Sequence, residues 1–319
     1  MNRIAIFITI FSVLSSCASR DPINITNLEP GRLPAPTVTV NIPGLGPCTD
    51  SPDRNLSFDA SQPINVLVHG CYGSSGQFRA LAQVLAFHGQ QSACFTYNYR
   101  DKLADSAKEL QYAVKQLAEQ SQVPLITVIG HSQGALIARK SVTESLLGIS
   151  PNQPVNVRLV TISGPFAGIE SAHTCGITWL YPLTLGLLPL SCYVATGAKW
   201  TDITYSSRFI RAPGTLASQV TNYLKIDTDE RNTCRREENG RCLEDDEVFS
   251  LAEQRNEKVE TDPRINRLVV NAGHVEIVGD KQVVPVKLIR VLQEEGVILP
   301  TAPEQAPAFS LLLAQLYLK

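Results

Sequence analysis

Leu125-Ile126-Thr127-Val128-Ile129-Gly130-His131-Ser132-Gln133-Gly134-Ala135-Leu136-Ile137-Ala138-Arg139-Lys140 decides the fold of this chain. Leu125 to Ile129 is apolar and β-branched, as expected of a parallel strand covered on both faces. Ala135 to Lys140 then continues as helix. A serine on so sharp a strand-to-helix turn has its hydroxyl pushed into the open, where a base can deprotonate it. Gly130 and Gly134 have a steric reason to be there, because the backbone must pack tightly around a serine with unfavourable dihedrals.

Outward from this turn the pattern alternates. Strands are expected at Ile64–Val68, Ala93–Tyr97, Val157–Ile162, Tyr223–Ile226 and Ile265–Val270. Helices are expected at Gln77–Phe87, Leu103–Gln120 and Val284–Glu294, the first with Phe78, Leu81, Ala82 and Leu85 on one face. Repeated strand and helix alternation predicts an α/β protein with a doubly wound, mostly parallel sheet.

In that order the residues carry a resemblance. The turn at Ser132, the His69-Gly70 pair after Val68 and a late histidine after the last strand make the chain similar to the α/β-hydrolases of the lipase and esterase type. The similarity covers about residues 64–294, and the serine turn follows what would be the fifth strand. The resemblance implies a lid insertion after the sixth strand, where residues 175–200 begin with the apolar run Cys175 to Cys192. Pro182 and Pro189 argue against one spanning helix there. Upstream, Ser163-Gly164-Pro165-Phe166-Ala167-Gly168 resembles the Pro-aromatic-x-Gly stretch of many lipases.

Ser132 is the expected nucleophile, and a serine hydroxyl needs a base and a third group to orient that base. Of five histidines, His274 stands after the last strand, where the hydrolase pattern has its base. The acid is expected at Asp246, which precedes the apolar pair Val248-Phe249; Asp229, Asp227 and Asp245 remain open as alternatives. The oxyanion hole is expected from the main-chain N–H of Gln133 and of Cys71, with Tyr72 second. These parts imply cleavage of a small ester or lipid by an acyl-enzyme route. Acyl transfer, thioester or phospholipid cleavage by the same machinery, and a non-catalytic binding protein on the same fold, stay open beside it.

Residues 1–17 read as a processing segment: Asn2-Arg3, a greasy run from Ile4 to Phe11, then Leu14-Ser15-Ser16-Cys17, which resembles the lipobox of bacterial lipoproteins. That resemblance implies a lipid on Cys17 and a place in the cell envelope. Ala18 in the following position favours the outer membrane if the cell is Gram-negative. Residues 18–63 read as a proline-rich tether with a first strand or two, 64–300 as the hydrolase domain and 301–319 as a tail.

Seven of the eight cysteines follow Cys17, and an exported chain can use them as disulfides. Cys234 and Cys242 bracket a polar hairpin, and Cys175 and Cys192 bracket the apolar insertion. Cys71 follows one strand and Cys94 opens the next, so in a parallel sheet they fall at opposite ends; Cys48 is therefore paired with Cys94, leaving Cys71 free. With 28 basic and 30 acidic residues the net charge is −2, and nothing in this balance suggests nucleic acid as a partner. No spacing suggests a metal or a cofactor.

Overall fold

The computed structural model describes residues 31–144, 155–177 and 179–317. Cys17 and the rest of the expected leader lie outside the described residues. The strands are β1 (Val38–Val40), β2 (Leu45–Gly46), β3 (Leu56–Phe58), β4 (Ile64–Val68), β5 (Gln91–Phe95), β6 (Leu125–His131), β7 (Asn156–Ile162), β8 (Val220–Asp229), β9 (Cys234–Glu238), β10 (Arg241–Asp245) and β11 (Ile265–Asn271). Seven of them form the main sheet in the order β11-β8-β7-β6-β4-β5-β2. All its pairings are parallel except that of β2 with β5.

Side chains alternate across each strand, and here they feed two separate cores. Val66 and Val68 of β4, Val128 of β6 and Tyr223 of β8 face one core, with helices α2 (Leu103–Ser121) and α3 (Gln133–Ser141). Leu67, Ile129, Leu224 and Ile226 face the other, with α1 (Arg79–Phe87). In α2 the residues Leu103, Ala107, Leu110, Val114 and Leu117 recur at helical spacing and are all buried. Burial of each such leucine or valine contributes about 1.5–3 kcal/mol, so α2 is held by its apolar stripe rather than by its exposed face.

Several expectations shift. The domain core begins upstream of Ile64: Ile42, Leu45, Leu56 and Phe58 are buried in it, and β2 closes the sheet edge. The expected C-terminal tail is largely a helix over Ala306–Tyr317, whose Phe309 and Tyr317 are buried against the α1 side of the sheet. The disulfides are Cys48–Cys94, Cys175–Cys192 and Cys234–Cys242, with Cys71 free. One premise behind the first pairing fails, because β5 begins at Gln91 and puts Cys94 opposite Leu67, near the same end of the sheet as Cys71. Cys94 meets Cys48 for another reason: Gly46 of β2 is its register partner, and Cys48 follows two residues on.

Between β7 and β8 the chain forms a cap of short helices, including α4 (Leu180–Leu183), α5 (Leu187–Thr196) and α6 (Trp200–Ile203). Cys175–Cys192 staples it. Among the described residues no helix is long and apolar enough to cross a membrane.

Candidate active site

The turn after β6 has the geometry its sequence calls for. Ser132 has φ 57° and ψ −126°, a conformation that side chains avoid and that persists only where the surroundings enforce it. Those surroundings are close backbone. A Cβ on Gly130 would lie 2.3 Å from the Gly134 carbonyl oxygen, and one on Gly134 would lie 2.3 Å from that of Val68. The turn is thus pressed onto the end of β4. Ser132 donates its N–H to the Ile162 carbonyl at 2.9 Å, which fixes it to the end of β7 as well.

His274 stands three residues beyond the end of β11, and its main-chain N–H donates to the Asp246 carbonyl at 3.0 Å. Its ring packs edge-on to Phe249 and lies 4.8 Å from the ring of His131. His131 Nε2 in turn lies 3.1 Å from the His274 carbonyl oxygen. Burial, then the nearby His274, pushes the His131 pKa well below the ordinary value, so His131 is a neutral support that donates one N–H.

The carboxylate on His274 Nδ1 belongs to Glu230, at 3.0 Å, and not to Asp246. Glu230 is the first residue past β8 and is fully buried. Oε1 also accepts from Ser163 Oγ at 2.8 Å and Thr228 Oγ1 at 2.7 Å, while Oε2 accepts from the N–H groups of Val248 and Phe249 at 2.6 and 2.7 Å. Burial pushes the Glu230 pKa up, but the hydrogen bond and charge of His274 and the donors from Phe249 and Thr228 outweigh it, leaving the group below its ordinary value. Ser163, itself strained at φ 48°, places its Oγ 2.9 Å from His274 Nδ1 and completes the ring of contacts.

Asp246 has different work. Its Oδ1 accepts from Val275 N–H and its Oδ2 from Glu276 N–H, both at 2.9 Å, so it holds the loop that carries His274. A Cβ on Gly273 would fall 2.1 Å from Asp246 Oδ2, so only glycine fits there. Burial raises the Asp246 pKa against the pull of those two amides. The alternatives are also occupied elsewhere: Asp227 pairs with Lys225 and Arg267, Asp229 with Arg231, and Asp245 accepts from Glu247 N–H. The sequence reading missed Glu230, Ser163 and Thr228. The signal for Glu230 is its place directly after the strand preceding the histidine strand, where a glutamate can serve as well as an aspartate.

Ser132 and His274 line one cavity of about 540 Å³, together with Cys71, Tyr72 and Gln133. Gln133 is the first residue of α3, so its N–H has no partner within the helix. The cavity wall is otherwise largely apolar, from Phe78, Leu81 and Leu136 of the body to Ile169, Leu188, Ala195 and Ile203 of the cap region. Its size is that of a pocket for a small molecule. The outer side of the cap is apolar too: Trp179, Leu183, Leu185, Leu187 and Val194 are exposed, Leu185 by 91%. The arrangement can orient a histidine in the same cavity as a strained serine and enclose an apolar group beside them.

Residues 64–231 match the family described as palmitoyl protein thioesterase. Among solved structures, the mature form of the Bacillus licheniformis lipase BlEst2 is similar with a TM-score of 0.51 at 15% identity, covering 83% of this chain and 99% of that one. The propeptide form of the same lipase gives 0.53 at 14% identity, covering 83% and 54%. A Paleococcus ferrophilus monoacylglycerol lipase gives 0.48 at 14% identity, covering 74% and 95%. No curated protein sequence matches the chain. The fold is that of the α/β-hydrolases.

Proposed function

Because the chain belongs to the palmitoyl protein thioesterase family, and so to the hydrolases of the esterase, lipase and thioesterase kind, we propose that it cleaves long-chain acyl esters through an acyl-enzyme on Ser132. His274 takes the serine proton at Nε2, while Glu230 holds Nδ1–H, fixing the tautomer and stabilising the imidazolium. The serine oxygen bonds to the acyl carbon, and the carbonyl oxygen becomes an oxyanion facing the main-chain N–H groups of Gln133 and Cys71. The proton then passes from His274 to the departing alcohol. Water, deprotonated by the same histidine, releases the acid and frees the serine.

The observation that carries this reading is Glu230 at 3.0 Å from the Nδ1 of a histidine that shares an apolar cavity with a strained serine. A second reading, thioester cleavage by the same steps, is favoured by the family match. Hydrolysis of p-nitrophenyl esters and acyl-CoA thioesters of graded chain length separates the two. A rise in kcat/KM with chain length supports the acyl cavity, and a maximum at acetate would contradict it.

Lipid attachment at Cys17 would hold the enzyme on the cell envelope, at the outer membrane in a Gram-negative cell, with the apolar outer side of the cap toward the lipid. Residues 174–198 contain no charged side chain, which supports that orientation. Cys17→Ala is expected to move the protein from the membrane to the soluble fraction; unchanged membrane recovery would refute the anchor.

A further inference from the structure

Lys199 also lines this cavity, and the proposed mechanism does not use it. It stands at the end of the cap, beside α6, and is 4% exposed. Its ammonium lies 2.8 Å from Cys71 Sγ and 2.9 Å from Gln133 Oε1, over the rings of Tyr72 and Tyr99 at 5.6 and 5.2 Å. Gln133 passes the link on by donating from Nε2 to the Tyr99 carbonyl at 3.1 Å. The backbone that aims the lysine is fixed as well: Lys199 N–H donates to the Arg100 carbonyl, and a Cβ on the nearby Gly197 would lie 2.4 Å from that same oxygen.

Among the described residues no carboxylate pairs with this ammonium. A buried charge without a counter-charge is costly, and this one is held by a sulfur, an amide oxygen and two aromatic faces. The two side chains it grips belong to Cys71 and Gln133, the residues whose main-chain N–H groups face the oxyanion in the mechanism above. Negative charge develops there only during reaction. A positive charge held on the side chains of both donor residues is repaid at that moment.

We propose that Lys199 is a positioning residue of the oxyanion hole, clamping the Cys71 loop to Gln133 from the base of the cap and setting a positive field at the oxyanion. The inference rests on the assignment of Ser132 as nucleophile. It makes the cap part of the machinery, since the clamp comes from the cap and its two targets come from the body. Because the effect is on the transition state, it falls on kcat and leaves ground-state binding alone.

The test uses the full chain and a soluble p-nitrophenyl ester, with a trifluoromethyl ketone that forms an oxyanion on the serine and the matching alcohol that does not. Lys199→Met is expected to lower kcat by about 10- to 100-fold, less than the ~10²–10³ lost with a hole donor itself, while KM changes little. Ketone affinity should fall by the same factor and alcohol affinity should hold. Lys199→Arg, which keeps the charge, should recover part of the loss. Unchanged kcat in Lys199→Met, or equal weakening of ketone and alcohol, would overturn the proposal. Should Lys199→Met fail to fold, Cys71→Ala removes one clamp contact and keeps the main-chain donor; it should lower kcat several-fold, and an unchanged kcat would overturn the proposal. Ser132→Ala separates the two claims: full turnover in that variant defeats the nucleophile, whereas lost turnover there with normal Lys199→Met defeats only the clamp.

Discussion

Glu230→Gln is the perturbation that most sharply divides the carboxylate that meets His274 Nδ1 from the one the sequence favours. The carboxylate receives five donors: three at Oε1, from His274, Ser163 and Thr228, and two at Oε2, from Val248 and Phe249. An amide has a single acceptor oxygen. If that oxygen keeps the two main-chain N–H groups, the amide NH₂ faces His274 Nδ1 and the Ser163 and Thr228 hydroxyls; the hydroxyls can turn to accept, and the amide hydrogen aimed at the ring favours Nδ1 as an acceptor. The histidine proton then moves to Nε2, which can no longer accept from Ser132. The loss expected for a wrong tautomer is about 10⁴ in kcat, or ~5.5 kcal/mol of transition-state stabilisation. Asp246→Asn keeps one acceptor for the Val275 and Glu276 amides and does not touch the Nδ1 contact. It should cost about 1–3 kcal/mol of stability and at most about tenfold in kcat. The assay is steady-state ester hydrolysis beside urea unfolding for both variants. A 10⁴ loss in Asp246→Asn with near-normal Glu230→Gln would make Asp246, and not Glu230, the acid.

The cavity, the turn and the buried histidines give further expectations. Ala195→Phe, which fills the cap side of the cavity, should lower kcat/KM for long acyl esters at least tenfold relative to acetate, read from a chain-length series. Gly134→Ala would put a methyl group 2.3 Å from the Val68 carbonyl and 2.4 Å from that of His69, both backbone; a loss of about 1–3 kcal/mol or more should appear in the urea midpoint. His69 is pushed down to about 4 by burial, against an ordinary value of 6.5. The unfolded chain therefore binds this proton first, so stability present above pH 6.5 is lost as pH falls, by about 2 kcal/mol at pH 5. His69→Phe should flatten the urea stability profile between pH 7 and 5 by about that amount; an unchanged slope would contradict it.

The turn at Ser132 was legible because its chemistry is local: a β-branched run, two glycines and a helix lie within one stretch of chain. The alternation of strands and helices was legible for the same reason, since each element buries its own period. The acid was not, because which carboxylate meets His274 depends on how β8, the β9–β10 hairpin and the β11 loop converge. Asp246 and Glu230 both end beside His274, one on its main chain and one on its ring, and sequence separation does not distinguish them. Lys199 was invisible for a related reason. Its partners lie 66 and 128 residues away, and a lone lysine after an apolar run reads as a solvated end. The Cys48–Cys94 bond shows the converse: the expected pairing holds, although its cause, the antiparallel pairing of β2 with β5, is not legible in the sequence.

In the proposed reaction Ser132 carries the acyl group. Incubation of the full chain with a fluorophosphonate, followed by peptide mass spectrometry, tests it directly. One adduct is expected, on the peptide containing Ser132, formed in step with loss of ester turnover and absent in Ser132→Ala. Turnover retained by Ser132→Ala, or inactivation with the adduct on another residue, would contradict it.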